Sequence, residues 1–158
     1  MSTASTATEH RTTGQFVPLM LRVVVAVSLM VDAVIHLRLA PGYQQSAPGG
    51  IGAGNLFRIQ GVLAFIVAGW VIWRGSRPAL ISAFAVSFGA VVAVVLYRYV
   101  DIPPLGPLPA MYEPVWFLEK SLSAAFEGLA AMTALVALLA GARLGATDRT
   151  RTKHQPRS

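Results

Sequence analysis

Residues 78–97 read PALISAFAVSFGAVVAVVLY, twenty positions without one charged side chain. At a rise of about 1.5 Å per residue a helix of that length spans about 30 Å, the thickness of a bilayer's hydrocarbon core. The run opens on proline, whose missing N–H does no harm in a first helical turn. Working outward from it, three more apolar segments of comparable length occur, at 17–39, 56–73 and 116–142. These carry internal charges, and 56–73 is short enough to need Leu56, Phe57 and the aliphatic stem of Arg58 to reach the interface. The pattern predicts an all-α polytopic membrane protein, a four-transmembrane-helix bundle over residues 16–143 with cytoplasmic N- and C-termini.

Composition supports that reading. Of 158 residues, 54% are apolar and 13% charged, against about 25% charged in an ordinary soluble domain. Too little polar surface remains to coat a globule, which argues against a soluble enzyme. The absence of cysteine excludes thiolate nucleophiles, disulfide exchange, iron–sulfur clusters and zinc–thiolate sites. The eleven arginines against two lysines are the bias expected of a GC-rich bacterial genome. Residues 1–15, rich in Ser and Thr, and the basic stretch 144–158 read as disordered tails. Arg22 before an apolar run resembles a leader, but Asp32, His36 and Arg38 follow without a small-residue cleavage site, so the segment is read as a span.

The connections differ in kind. Residues 40–55 hold Gly42, Gly49, Gly50, Gly52 and Gly54 with Pro41 and Pro48, the composition of a flexible loop or a series of tight turns. No strand precedes it, so it is not read as a phosphate cradle. Residues 100–115 hold Pro103, Pro104, Pro107, Pro109 and Pro114; this segment should be stiff and extended, placed to lie over the bundle as a lid.

Four crossings put nine basic residues, among them Arg11, Arg22, Arg74, Arg77 and Arg143, on one side against Glu9 and Asp148. That leaves +7 there and −1 for the rest of the chain. By the positive-inside rule that side is the cytoplasm. The expected location is the bacterial cytoplasmic (inner) membrane, multi-pass. The basic tail is expected to touch anionic lipid headgroups rather than nucleic acid.

The remaining polar residues gather in the outer half. Asp32 and His36, four apart, share a helical face with Ser28 one turn deeper. Arg58 and Gln60 open the second helix, Arg98 closes the third, and Glu113, Glu119 and Lys120 precede or open the fourth. Glu127 lies eleven residues past Trp116, about 16 Å deeper, on one face with Lys120 and Ser123. A carboxylate at that depth is costly and must face the bundle interior, pairing or titrating there. These residues, Asp32, His36, Arg58, Gln60, Arg98, Glu119, Lys120 and Glu127, are the ligand-binding or proton-relay candidates. The same residues serve equally as interhelical contacts that hold a bundle together.

The i,i+4 pair Asp32 and His36, with Glu127 or Glu119, could ligate a divalent cation, but that spacing is common and no metal set is assigned. With His10 and His154 in the tails, bis-histidine haem within one chain is excluded. No catalytic Ser–His–acid arrangement is assigned either, since Ser28 and Ser123 sit on helices without a nucleophile turn. Trp70, Trp73, Tyr97, Tyr99, Tyr112 and Trp116 read as interface anchors. Small residues, Gly61, Ala64 and Ala68 on the second helix, Ala83, Ala90 and Ala93 on the third, Ala124, Gly128, Ala131 and Ala134 on the fourth, predict close packing. A spare strip would serve a homodimer or larger membrane complex.

Four spans, Arg22 near the start of the first, and HLRLAPGY (36–43) followed by GNLFRIQG (54–61) resemble the DoxX-like group of small bacterial four-helix membrane proteins. The resemblance covers 17–142 and implies association with membrane redox complexes and quinone-linked oxidation; a quinone is the cofactor it implies, and it transfers no catalytic residue. Three functions therefore stand as expectations. The first is a non-enzymatic subunit or binding protein with a polar ligand pocket in the outer half. The others are a proton-coupled transporter using Glu127 and Asp32, and a quinone-linked membrane redox component.

Overall fold

The computed structural model describes residues 19–141 in full and, beyond them, the helical backbone out to Ser5 and Lys153. The tails expected over 1–15 and 144–158 lie outside the fully described residues. The fold is all-α: α1 (Ser5–Ser46), α2 (Ala53–Arg74), α3 (Arg77–Tyr99) and α4 (Leu118–Lys153). Each contains a stretch long and apolar enough to cross a membrane, Leu19–Ser46, Ala53–Arg74, Arg77–Tyr99 and Leu118–Gly141.

The helices form a four-cornered bundle. α1 packs on α2 and α4, and α3 packs on α4 and less extensively on α2; α1 and α3 stand diagonally. The core is built from small residues while large apolar side chains point away from it. Val25, Ala26, Leu29, Ala33, Ala64, Ala68, Ala83, Ala130 and Ala134 are buried, whereas Ile59, Ile66, Ile72, Phe88, Met132 and Trp73 are exposed.

The α1–α2 contact shows why the small residues matter. Ala26, Ala33 and Ala40 recur every seven residues on α1, and Gly54, Gly61 and Ala68 do so on α2; all six are buried. A side chain at Gly54 would strike the Ala40 carbonyl oxygen, and one at Gly61 would come within 3.1 Å of the Ala33 carbonyl oxygen and 2.9 Å of Leu37 Cγ. The seven-residue repeat keeps two antiparallel backbones in close contact over their length, as in coiled-coil and small-residue membrane packing. On α4 the buried strip is Lys120, Ser123, Glu127, Ala130, Ala131 and Ala134. Ala124 and Gly128, expected on that strip, lie half-buried at its edge.

The first segment does not end at Leu39. α1 continues through Pro41 to Ser46, which shortens the expected loop 40–55 to 47–52 and makes Gly54 a helical residue. Pro41 removes one backbone donor, a loss that apolar helices of this kind tolerate when neighbours compensate. Here Tyr43 stacks on Phe57 with ring centroids 4.0 Å apart, and the Gln44 side chain fills the space beside Gly52 and Gly54.

The two ends of the bundle contrast. At one, α2 and α3 are joined through Gly75, which adopts a left-handed φ of 50°, and the Arg22 side chain lies where a β-carbon on Gly75 would stand. A cation there complements the C-terminal dipole of α2. At the other end the proline-rich segment lies across the helices and is fastened at several points. Ile51 N–H donates to the Pro107 carbonyl (2.8 Å) and Glu113 N–H donates to the Tyr97 carbonyl (3.1 Å), while within the segment Leu105 and Leu108 exchange reciprocal bonds at 3.0 Å.

Candidate functional site

The helical stripes foreseen on α1 and α4 face each other. Ser28, Asp32 and His36 on α1 and Ser123 and Glu127 on α4 are all buried. Ser123 Oγ lies 2.7 Å from Asp32 Oδ1 and 3.2 Å from Glu127 Oε1, so its one proton serves one carboxylate at a time. His36 Nδ1 lies 3.0 Å from Asp32 Oδ1 and 3.2 Å from the Asp32 carbonyl oxygen. On the other side of the ring, Nε2 lies 3.7 Å from Glu127 Oε1. Oδ2 of Asp32 and Oε2 of Glu127 are buried without a partner. Although Ser123 also comes within 3.5 Å of His36 Nδ1, its shorter contact is to a carboxylate, which uses it as a donor rather than as a nucleophile.

Beside this cluster, between α2 and α3 and toward the long-segment end, is a partly open cavity of about 550 Å³. It exists because α2 and α3 pack loosely and because α3 presents Ala85, Gly89, Ala90 and Ala93 to it; nothing lies within 4 Å of where a Gly89 side chain would begin. Its walls are mainly apolar, and its polar groups converge from His36, Gln60, Glu113 and Lys120, with Tyr43 and Tyr97 beside them. Gln60 Nε2 is buried and has no partner. The volume is within the range of about 300–1,000 Å³ usual for small-molecule sites.

The proline-rich segment closes the polar end. The Tyr43 hydroxyl donates to Glu113 Oε2, and Lys120 Nζ donates to the Glu113 carbonyl at 2.7 Å while standing 3.7 Å from the Glu113 carboxylate. Leu108, Met111 and Glu113 thereby become part of the cavity wall.

The eight candidates from the sequence separate into three groups. His36, Gln60 and Lys120 line the cavity. Asp32 and Glu127 lie behind His36 in the buried cluster. Arg58, Arg98 and Glu119 belong to neither: Arg58 is exposed and donates to Asn55 Oδ1 (2.6 Å), Arg98 lies over the Tyr99 ring at 4.9 Å, and Glu119 is exposed. Of the charges gathered at this end, Lys120 and Glu113 form the one lysine- or arginine-containing ion pair among the described residues. The sequence did not single out Tyr43 or Gly89. Tyr97, expected as an interface anchor, is a cavity residue. Compared with known proteins, the chain matches no family model, no curated protein and no solved structure.

Proposed function

We propose that the chain is a multi-pass protein of the bacterial inner membrane, with both termini cytoplasmic, that binds a small amphipathic molecule in the cavity between α2 and α3. Membrane residence is supported by the inverted distribution of side chains, small and polar residues inside and large apolar residues outside, the reverse of what water selects. Orientation is supported by the basic residues around the Gly75 end, where Arg22 reaches the α2–α3 turn.

The observation that carries the binding reading is the cavity's asymmetry. Leu63, Ala85, Val86, Gly89 and Ala90 make an apolar trough, and His36, Gln60, Glu113 and Lys120 make a polar end. A ligand would lay its tail in the trough and its head against these groups, with the free amide of Gln60 donating to a carbonyl or ether oxygen. A quinone has that form, which is the link to the DoxX-like resemblance. The role is binding within the membrane, alone or as the subunit of a larger complex.

The test is a titration of the full chain in mild detergent with a decyl-tailed benzoquinone, read by quenching of intrinsic tryptophan fluorescence and by equilibrium dialysis. Gly89→Phe places a ring in the trough and should abolish saturable uptake, while Gly69→Phe, an exposed position with open space around it, should leave it intact. Equal uptake by wild type and Gly89→Phe would overturn the reading.

A further inference from the structure

The bundle buries two carboxyl groups beside a single imidazole. Asp32 and Glu127 are each 1% exposed, and His36 is the single cation-forming side chain that pairs with either among the described residues. Lys120, on the same helix as Glu127, is engaged instead by Glu113 and by the carbonyl of Val115. Each acid keeps one buried carboxylate oxygen with no partner. The imidazole adds a second mismatch: when Nδ1 carries the proton that bonds Asp32, Nε2 turns a lone pair toward the Glu127 carboxylate 3.7 Å away. Two such groups facing each other in a dry interior need a proton or a metal ion between them.

We propose that Asp32, His36 and Glu127 bind one divalent first-row transition-metal ion, such as Zn²⁺, Mn²⁺ or Fe²⁺. One donor atom from each residue lies within 4.8 Å of the others. Donors sharing an ion at about 2.1 Å stand about 3.0–3.5 Å apart, so small side-chain rotations close the set. Two carboxylates and a neutral imidazole match the charge of a divalent ion. The mixed oxygen and nitrogen donors suit these metals better than Ca²⁺ or Mg²⁺, and no thiolate is present to select Cu(I).

The surroundings have the form of a metal site's outer layer. The Asp32 carbonyl oxygen, 3.2 Å from His36 Nδ1, accepts its N–H and fixes the tautomer that frees Nε2, while the Asp32 and Glu127 carboxylates, each with an unpartnered oxygen, remain free to ligate. Ser123 lies between the two carboxyl groups, donating to one at a time, and so limits their rotation. His36 is also part of the cavity wall, which supplies an entry path and leaves coordination positions that protein does not fill. This inference does not rest on the cavity's own ligand.

The full chain, stripped of metal with a chelator in mild detergent, is titrated separately with Zn²⁺ and Mn²⁺, and bound metal is counted by mass spectrometry after desalting. One equivalent per chain is expected. Asp32→Asn, His36→Gln and Glu127→Gln should each weaken binding by more than the roughly 10–100-fold typical of losing an outer-layer partner, and Glu119→Gln should bind as wild type. Should a ligand variant fail to fold, X-ray absorption of the wild-type zinc complex decides: an oxygen and nitrogen shell with one imidazole supports the site. A shell with two or three imidazoles would place the ion on the tail histidines and overturn it. No stoichiometric uptake by wild type, or uptake unchanged in Glu127→Gln, would overturn it too. Gly89→Phe should retain metal, so failure of the cavity reading and failure of this one are separable.

Discussion

Replacing Ser123 by alanine and, separately, Ser87 by alanine removes the same hydroxyl from two buried positions with opposite expected effects. Ser123 is 4% exposed and donates within a pair of carboxylates, 2.7 Å from Asp32 and 3.2 Å from Glu127. A hydrogen bond to a charged group contributes about 1.5–3 kcal/mol in soluble proteins, while interhelical bonds in a membrane average about 0.6 kcal/mol and reach about 1.7. The Ser123 bond is charge-assisted, and Asp32 Oδ1 keeps its contact with His36 Nδ1 when it is lost, so Ser123→Ala should cost about 1–2 kcal/mol. Ser87 is fully buried on α3 and its hydroxyl has no partner; removing it lifts a burial penalty, so Ser87→Ala should be neutral or stabilise by up to about 1 kcal/mol. Reversible unfolding of chelator-treated protein in mixed micelles, followed by tryptophan fluorescence, measures both. Variants that unfold within about 0.5 kcal/mol of each other, the scatter of independent sites, would refute the assignment of Ser123 as the bridge between α1 and α4.

Two further pairs of variants probe the packing and the segment's attachment. Gly54→Ala forces a methyl against the Ala40 carbonyl and to 2.5 Å from Gln44 Cβ, and should destabilise by about 1–3 kcal/mol. Gly89→Ala meets nothing within 4 Å and should gain about 0.5–1 kcal/mol from helix propensity; the same micelle assay compares them. Tyr43→Phe deletes the hydroxyl that holds Glu113, so amide exchange over residues 105–113 should speed up, whereas Tyr112→Phe, at an exposed ring, should leave it unchanged.

The sequence carries the four helices and both polar stripes openly. Helical periodicity alone places Ser28, Asp32 and His36 on one face and Lys120, Ser123 and Glu127 on another, because i,i+3 and i,i+4 neighbours share a face in any helix. What periodicity cannot carry is the rotation of one helix against the next. The meeting of Asp32 with Ser123, 91 positions away, depends on the α1–α4 docking. The continuation of α1 past Pro41 was hidden by a residue that usually ends helices, and the contacts that compensate, Tyr43 on Phe57 and Gln44 over Gly54, are tertiary. The cavity was hidden for a different reason. Ala93 reads as a packing residue, and on α3 it does the opposite together with Gly89, leaving space because α2 stands away from them.

Native mass spectrometry of the gently solubilised full chain, with identification of any co-purifying small molecule, tests the central claim most directly when wild type is run beside Gly89→Phe. The account predicts a stoichiometric amphipathic molecule on wild type, absent from Gly89→Phe and retained by Glu119→Gln. A folded wild type with no such molecule, or the same molecule carried undiminished by Gly89→Phe, would contradict it.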